Sequence, residues 1–483
     1  MTASFIAFHA AERPEAAALI ENGRSITYAE FSRDIGKFTQ ALREFDLSPG
    51  ARIAIGCDNL HVHWLLRLAC EQLRLVSASV LAPESLSALQ SLEDFDLVFL
   101  DRPVDTSRMK RRQVVTSAWL ETVLERADSG DGLRLLKGPE DPLRILRTSG
   151  TTGSPKRLLY PRRVHERSVA RSMWFNGFTR RSRYLLVIPF TVGASYANAT
   201  ACLRSGATVV VEKRMSIAKA ALSHGITHLA LAPLHLKQIL DDLPDDFAKP
   251  AELTIFSFGA AISGVLYEKG LARFATEICD MYGSNEAGYV SSTRFRSAPE
   301  IVFSSIWPGV QIEIVDDRDR PLPFGALGQI RVKTDCMVEG YLDDPEASQR
   351  MFKDGWFYAG DVGVLADAHR LQVLGRVDEL LNIGWNKFSP VVLEGLVMKV
   401  ADVGDVGVCS LPNTDGLEEV YVAVSGGRTD NEELVARLND AFRPFELGRF
   451  HVVRAARIPR NENGKIRRDV LRKAVAAAAG RTE

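Results

Sequence analysis

Cysteine is scarce and scattered: the six residues Cys57, Cys70, Cys202, Cys279, Cys336 and Cys409 include no Cys-x-x-Cys pair. A cysteine-paired zinc site and a disulfide framework are therefore excluded, and a reducing, cytoplasmic setting fits best. An excess of charge is missing too, with 60 Lys and Arg against 61 Asp and Glu, a formal net charge of −1. That balance gives no bulk basic surface, so neither nucleic acid nor anionic lipid is an expected partner. No apolar run approaches the roughly 18 residues that span a bilayer. The stretch MTASFIAFHAAERPEAA lacks the basic segment and continuous apolar core of a secretory leader, and none is expected. Internal repeats and low-complexity linkers are also absent. What is present is ordinary globular composition, 46% hydrophobic and 25% charged over 483 residues. At roughly 100–200 residues per domain, that length implies two to four folding units.

The first long pattern is helical. Thr27 and Glu30 have capping-box spacing, and Phe31, Ile35, Phe38, Leu42 and Phe45 recur every three or four residues. Short β-branched runs follow at 51–56, 96–101, 184–189, 207–212, 227–232 and 253–258, with helix candidates after Pro233 and Gly264. Strands alternating with helices imply an α/β fold with a mainly parallel sheet. From about residue 300 the texture becomes strand, turn, strand (VQIEIVDD, LGQIRVKT, LQVLGRVD), which predicts a β-rich part over about 300–377. The remainder carries its own strands and helices and ends in AVAAAAG, read as a fraying helix.

Four stretches carry chemistry. Thr148-Ser149-Gly150-Thr151-Thr152-Gly153-Ser154-Pro155-Lys156 follows a predicted strand and packs glycines, hydroxyls and a lysine together. Glycines let backbone N–H groups turn inward, and such a nest suits phosphate oxygens. It is not a Walker A loop, because Ser154 and Pro155 separate Gly153 from Lys156. Composition alone leaves the alternative of an ordinary Ser/Thr/Gly surface loop open. Tyr282-Gly283-Ser284-Asn285-Glu286-Ala287-Gly288 sets an aromatic, able to stack on a base, before a carboxylate able to hold Mg²⁺. Asp361 lies between glycines in GWFYAGDVG, where a short acid can chelate vicinal hydroxyls, and Arg376 follows Gly375. Asn463-Gly464-Lys465 closes the set in a charged tail.

In this order the four resemble the adenylate-forming superfamily, which holds acyl- and aryl-CoA synthetases, adenylation domains of peptide synthetases, and luciferases. Positions 148–156 match its TSGTTGxPK loop, with Arg157 in place of the next glycine. Tyr282, Gly283 and Glu286 match YGxTE, with Asn285 in the threonine position. Tyr358, Gly360 and Asp361 match YxTGD, with Ala359 for threonine. Gly375, Arg376 and Asp378 match GRxD, and residues 463–465 match NGK. GQI at 328–330 with GYL at 340–342 resembles a further family stretch.

The resemblance implies a large adenylation domain over 1–377 and a small mobile α+β domain over 378–483. It implies a two-step reaction: a carboxylate attacks the α-phosphate of ATP, and a thiol then displaces AMP from the acyl-adenylate. Thr148 to Gly153 with Lys156 cradle phosphates, and Glu286 holds Mg²⁺. Tyr282 packs on adenine opposite Gly259, Ala260 and Ala261, with Gly283, Ser284 and Asn285 beside the nucleotide. Asp361 and Arg376 take the ribose or phosphate, and Lys465 stabilises charge at the α-phosphate. Asp378 is the hinge, and the loop at Gly384 lines the thiol channel after rotation.

By the same resemblance the acid pocket draws on Phe190, Thr191, Ser195, Tyr196, Ser257, Phe258 and Gly288. Amino-acid-activating members carry an aspartate where Thr191 stands. A buried ammonium without a counter-charge costs several kcal/mol, so an α-amino acid is disfavoured. The run VGASYANATACLRSGA, small residues around one aromatic, resembles benzoate-type ligases and implies an aromatic or short-to-medium acyl acid as the small-molecule substrate. ATP, Mg²⁺ and coenzyme A are the expected cofactors. A carrier-protein phosphopantetheine is the alternative thiol, a catalytically inactive nucleotide-binding homologue is the alternative class, and monomer or homodimer stays open.

Overall fold

The structure, a computed structural model, describes residues 1–80, 93–101, 109–127, 138–148, 156–260, 262–295, 303–383, 386–413, 417–443, 450–460 and 465–480. It is a mixed α/β protein with a distinct β-rich part. Two compact units are formed, each from discontiguous segments. The first holds Met1–Ala230, Gly283–Gly288 and Thr334–Phe352; the second holds Leu231–Tyr282, Tyr289–Lys333 and Lys353–Glu483.

In the first unit the predicted opening helix is Tyr28–Arg43, with Thr27 Oγ1 accepting from the Glu30 N–H at 3.1 Å and Glu30 Oε2 accepting from the Thr27 N–H at 2.7 Å. Phe45 lies beyond it: Asp46 takes φ +46°, a left-handed conformation that stops the helix before Pro49 is reached. A six-stranded sheet runs in the order Arg112–Val114, Leu97–Leu100, Arg52–Gly56, Val76–Ser79, Pro142–Arg147, Arg157–Pro161. Its pairs are parallel except the last, which is antiparallel. The helix Leu60–Gln72 is buried on nearly every side, as a helix enclosed within a large core must be. A second set of strands includes His228–Leu231, Arg183–Leu185, Thr208–Val211 and Ala17–Glu21 in parallel register. The strand expected over 184–189 is the short Arg183–Leu185. Leu186 N–H still reaches Val210 O at 2.9 Å, but Pro189 has no N–H to extend the ladder.

In the second unit Thr254–Phe258 pairs in parallel with Glu277–Ser284. The expected β-rich part is built from Val310–Val315, Leu327–Thr334, Trp356–Asp367 and Arg370–Arg376, with antiparallel pairing between successive members of the last three. Residues from Leu381 onward have their own core, in which Leu393, Val397, Val408, Val422, Leu434 and Leu438 are almost fully buried. The terminal alanine run, expected as a fraying helix, is helical and partly packed. It belongs to the helix Arg468–Ala478, which buries Leu471, Val475 and Ala476 against Cys409 and Tyr421.

Candidate active site

Residues 149–155, Ala261, Gly384 and the Asn463-Gly464 pair lie outside the described residues. The frame of the phosphate loop is described. Pro142–Arg147 and Arg157–Pro161 pair antiparallel, and the Thr148 N–H donates to Lys156 O at 2.8 Å. Thr148 and Lys156 are thus the two posts of a hairpin, whereas a P-loop runs from strand to helix. The Arg157 departure is internally neutralised: its guanidinium bonds Asp94 at 2.7 Å and also Asp343. Its charge is therefore committed to carboxylates rather than added to that of Lys156.

Two groups of predicted residues come together, one within each unit. In the first, Glu286 is buried and its Oε1 accepts from the Tyr341 hydroxyl at 3.0 Å. Lys156 Nζ stands 4.7 Å from the centroid of the same Tyr341 ring. The backbone around Glu286 is fixed on both sides. Its carbonyl accepts from Val338 N–H at 3.0 Å, and the Asn285 carbonyl accepts from the Tyr160 hydroxyl. Ser284 Oγ accepts from Ala287 N–H at 3.2 Å, which shapes the turn. Gly288 leaves that turn at φ +71°, where a Cβ would stand 3.1 Å from Cys336 Cβ. Asn285 lies close against Gly193, where a Cβ would sit 2.7 Å from Asn285 Oδ1.

Among the described residues no three His, Cys, Asp or Glu side chains form a metal cage. Glu286 Oε2 also meets no donor among them. A single buried carboxylate with one oxygen committed and one open fits Mg²⁺, which binds through one or two carboxylates plus substrate phosphates and water. Glu286 is the residue that would hold it.

In the second unit the gathering point is Asp361. Its Oδ2 accepts from the Tyr282 hydroxyl at 2.6 Å and its Oδ1 from Arg376 Nη1 at 3.2 Å. Burial raises the Asp361 pKa, and the charges of Arg376 and Lys465 and the Tyr282 hydrogen bond work against that rise. Lys465 is thus within electrostatic reach of the ribose-type acid. Each carboxylate oxygen has two acceptor sites, so both retain capacity for a pair of hydroxyls. Gly360 is required here: it has φ +72°, and a Cβ would lie 2.9 Å from Arg376 Nη2. Gly259 ends the strand Thr254–Phe258 at φ +91°, exposed and followed by Ala260.

The expected hinge lies between two anchors. Arg376 is tied back to Asp361 and Ala359 O. Glu379 accepts from Arg468 Nε at 3.0 Å, and Arg468 also bonds Glu394 at 2.7 Å and Val408 O at 2.9 Å. Asp378 sits between them in the three-residue 3-10 segment Val377–Glu379, its carboxylate 3.6 Å from Arg376 Nε.

The acid-pocket residues divide by exposure. Thr191, Phe258 and Gly288 are partly exposed. Ser195, Tyr196 and Ser257 are fully buried and Phe190 nearly so. Tyr196 is enclosed by the guanidinium carbons of Arg67 and Arg144, at 3.9 and 4.0 Å from its ring centroid. Two guanidiniums cannot both sit that close over one face of a ring, so they sandwich it. Ser195 Oγ donates to Ile188 O and so shapes the turn leading into its helix, Gly193–Arg204.

Three residues escaped the sequence reading. Tyr341 lay in the GYL stretch, which signalled family likeness but no role. Tyr160 carried no motif. Asp280 stands two residues before Tyr282 on the same strand face, and burial pushes its carboxyl up to about 7.

The family model described as AMP-binding enzyme matches residues 6–342 of the chain. The fatty acid–[acyl-carrier-protein] ligase ScoC of Streptomyces coeruleorubidus is 26% identical, over 96% of this chain and 94% of that protein. The indoleacetate–CoA ligase of Aromatoleum aromaticum is 28% identical, over 80% of this chain and 76% of that protein. Among solved structures, ATP-bound MatB from Rhodopseudomonas palustris superposes with a TM-score of 0.85 at 21% identity, covering 98% of this chain and 99% of that one. This last likeness concerns the fold.

Proposed function

The chain belongs to the AMP-binding enzyme family, and from that we propose that it activates a small carboxylic acid with ATP and passes the acyl group to coenzyme A. In the first step a carboxylate oxygen forms a bond to the α-phosphorus and the bond to pyrophosphate breaks. In the second the thiol sulfur bonds the acyl carbon, AMP leaves with the electron pair of the broken bond, and the thiol proton is lost. An anion attacking a polyanion must have its charge answered and its approach held in line.

The observation that carries the reading is the convergence on Asp361 of Tyr282, Arg376 and the field of Lys465. An acid held by one phenol and one guanidinium, with the late lysine near, suits a ribose whose phosphates continue toward that lysine. We assign ribose contact to Asp361 and Arg376, base contact to Tyr282, and phosphate contact to Thr148–Gly153 and Lys156. Lys465 answers the charge at the α-phosphate. Mg²⁺, when bound at Glu286, supplies neutralisation of the phosphate oxygens. The two anchors beside Asp378 support placing the hinge at that residue, with 378–483 as the moving part.

Thr191 supports an acid without an α-ammonium, and the names of the two curated relatives, a fatty acid ligase and an indoleacetate ligase, are of such acids. The carrier-protein ligase ScoC supports a second reading of the thiol, a phosphopantetheine arm in place of free coenzyme A. Benzoate-like and short acyl acids are expected to exceed every proteinogenic amino acid in kcat/KM by about a hundredfold or more, since a missing buried ion pair costs a few kcal/mol. The check is competition between acids, with coenzyme A and a holo carrier protein offered separately. Turnover of α-amino acids alone would contradict it.

A further inference from the structure

Tyr341 touches both charges assigned to the phosphate end of the reaction. Its hydroxyl donates to Glu286 Oε1 at 3.0 Å, and its ring carries Lys156 Nζ 4.7 Å from the centroid. No ion pair joins Lys156 to Glu286 among the described residues. The same aromatic side chain therefore holds the lysine on its face and the carboxylate at its tip.

The segment bearing Tyr341 is fastened to both neighbours. Val338 N–H donates to Glu286 O at 3.0 Å, and Leu342 N–H donates to Arg157 O at 2.7 Å, one residue beyond Lys156. The Tyr341 N–H donates to Ser348 Oγ at 2.8 Å, and its ring meets Phe352 edge-on with centroids 5.7 Å apart. The phenol is thus tied to the two backbones whose side chains it contacts. A carboxylate left to rotate can turn both oxygens toward a nearby ammonium and form an ion pair, which withdraws it from a metal. One oxygen held by a neutral donor leaves the other directed, as outer partners do for metal ligands elsewhere.

We infer that Tyr341 is a positioning residue for the nucleotide–metal complex: its hydroxyl fixes Glu286 for Mg²⁺, and its ring seats Lys156 for the phosphates. The inference rests on the assignment of Glu286 and Lys156 to those roles, and it separates into two halves that different substitutions remove. Tyr341→Phe deletes the hydroxyl and keeps the ring. Tyr341→Leu deletes both.

The test is equilibrium binding of ATP by titration calorimetry, without any acid, once with Mg²⁺ and once with EDTA. Tyr341→Phe is expected to bind ATP in EDTA as the unaltered protein does and to lose about tenfold of the gain that Mg²⁺ brings, the scale of an outer-partner loss. Tyr341→Leu should also weaken binding in EDTA. Glu286→Gln should lose the same Mg²⁺ gain, and adding Tyr341→Phe to it should change nothing further. Weakening of Tyr341→Phe by the same factor with and without Mg²⁺ would reduce Tyr341 to a structural residue. A full Mg²⁺ gain in Tyr341→Phe would overturn the inference while leaving the assignment of Glu286 standing. Absence of any Mg²⁺ gain in the unaltered protein would overturn both.

Discussion

Lys465→Ala is expected to lower adenylate formation by about a hundred- to a thousandfold, the scale on which one lost transition-state donor acts. Pentacoordinate α-phosphorus carries more negative charge than ATP does in the ground state, so a cation placed there lowers the barrier rather than only the KM. The structure puts the ammonium where its charge works against the burial-driven rise of the Asp361 pKa. The stem that carries it is firm: Arg460 and Ile466 form a β-bridge, Arg460 Nη2 bonds Asp405 at 2.7 Å, and Arg467 N–H bonds Pro459 O at 2.8 Å. Removing the side chain should therefore leave the fold intact. Thioester formation from a supplied acyl-adenylate should fall far less, because by this account the lysine has moved away before the thiol enters. Single-turnover assays of each half-reaction separate the two, and equal losses in both would make Lys465 a structural residue.

Asp378→Pro is expected to leave adenylation within a few-fold and to lower thioester formation by about a hundredfold or more. Residue 378 occupies a 3-10 turn, where φ is typically about −50° to −70°. Proline fixes φ near −65°, so the ring fits the present arrangement and resists departure from it. Proline also disfavours the helical backbone of Val377, the first residue of that turn, and the few-fold loss expected in adenylation is placed there. The arrangement so held is the one with Lys465 near Asp361, the adenylating one by the reading above. The flanking residues are committed to opposite sides, Arg376 to Asp361 and Glu379 to Arg468, so any rotation has to be absorbed between them. A folded Asp378→Pro variant with both half-reactions intact would move the hinge elsewhere.

Much of the fold was legible because local signals and tertiary packing agreed. The capping box at Thr27 and Glu30, the β-branched runs, and the change of texture near residue 300 all became elements near their expected places. The misses have physical causes. The strand expected over 184–189 leaves its ladder after Leu186, short of Pro189, and Asp46 ended a helix whose periodicity ran on to Phe45. The alanine tail was read as a fraying helix, yet Leu471, Val475 and Ala476 bury one side of the helix Arg468–Ala478 against its strand.

The candidate site was legible as a set of charges and opaque as a set of contacts. Glu286, Asp361, Arg376 and Lys465 could be singled out because the short motifs that hold them, taken in order, resemble those of the adenylate-forming superfamily. That a phenol from residue 341 would hold Glu286, or that Arg157 would be consumed by Asp94 and Asp343, depends on pairings far apart in the chain. Tyr196 illustrates the opposite case. The family resemblance placed it at the acid pocket while its composition fitted a core residue as well, and the structure buries it with the guanidinium carbons of Arg67 and Arg144 at 3.9 and 4.0 Å from its ring centroid.

The most direct test of the central claim is exchange of labelled pyrophosphate into ATP by the purified protein over a panel of aromatic and acyl acids. In parallel, the nucleotide released is identified once a thiol is supplied. Exchange is expected to require both Mg²⁺ and an acid, with AMP as the nucleotide product. Release of ADP and phosphate in the presence of an activating acid would contradict it.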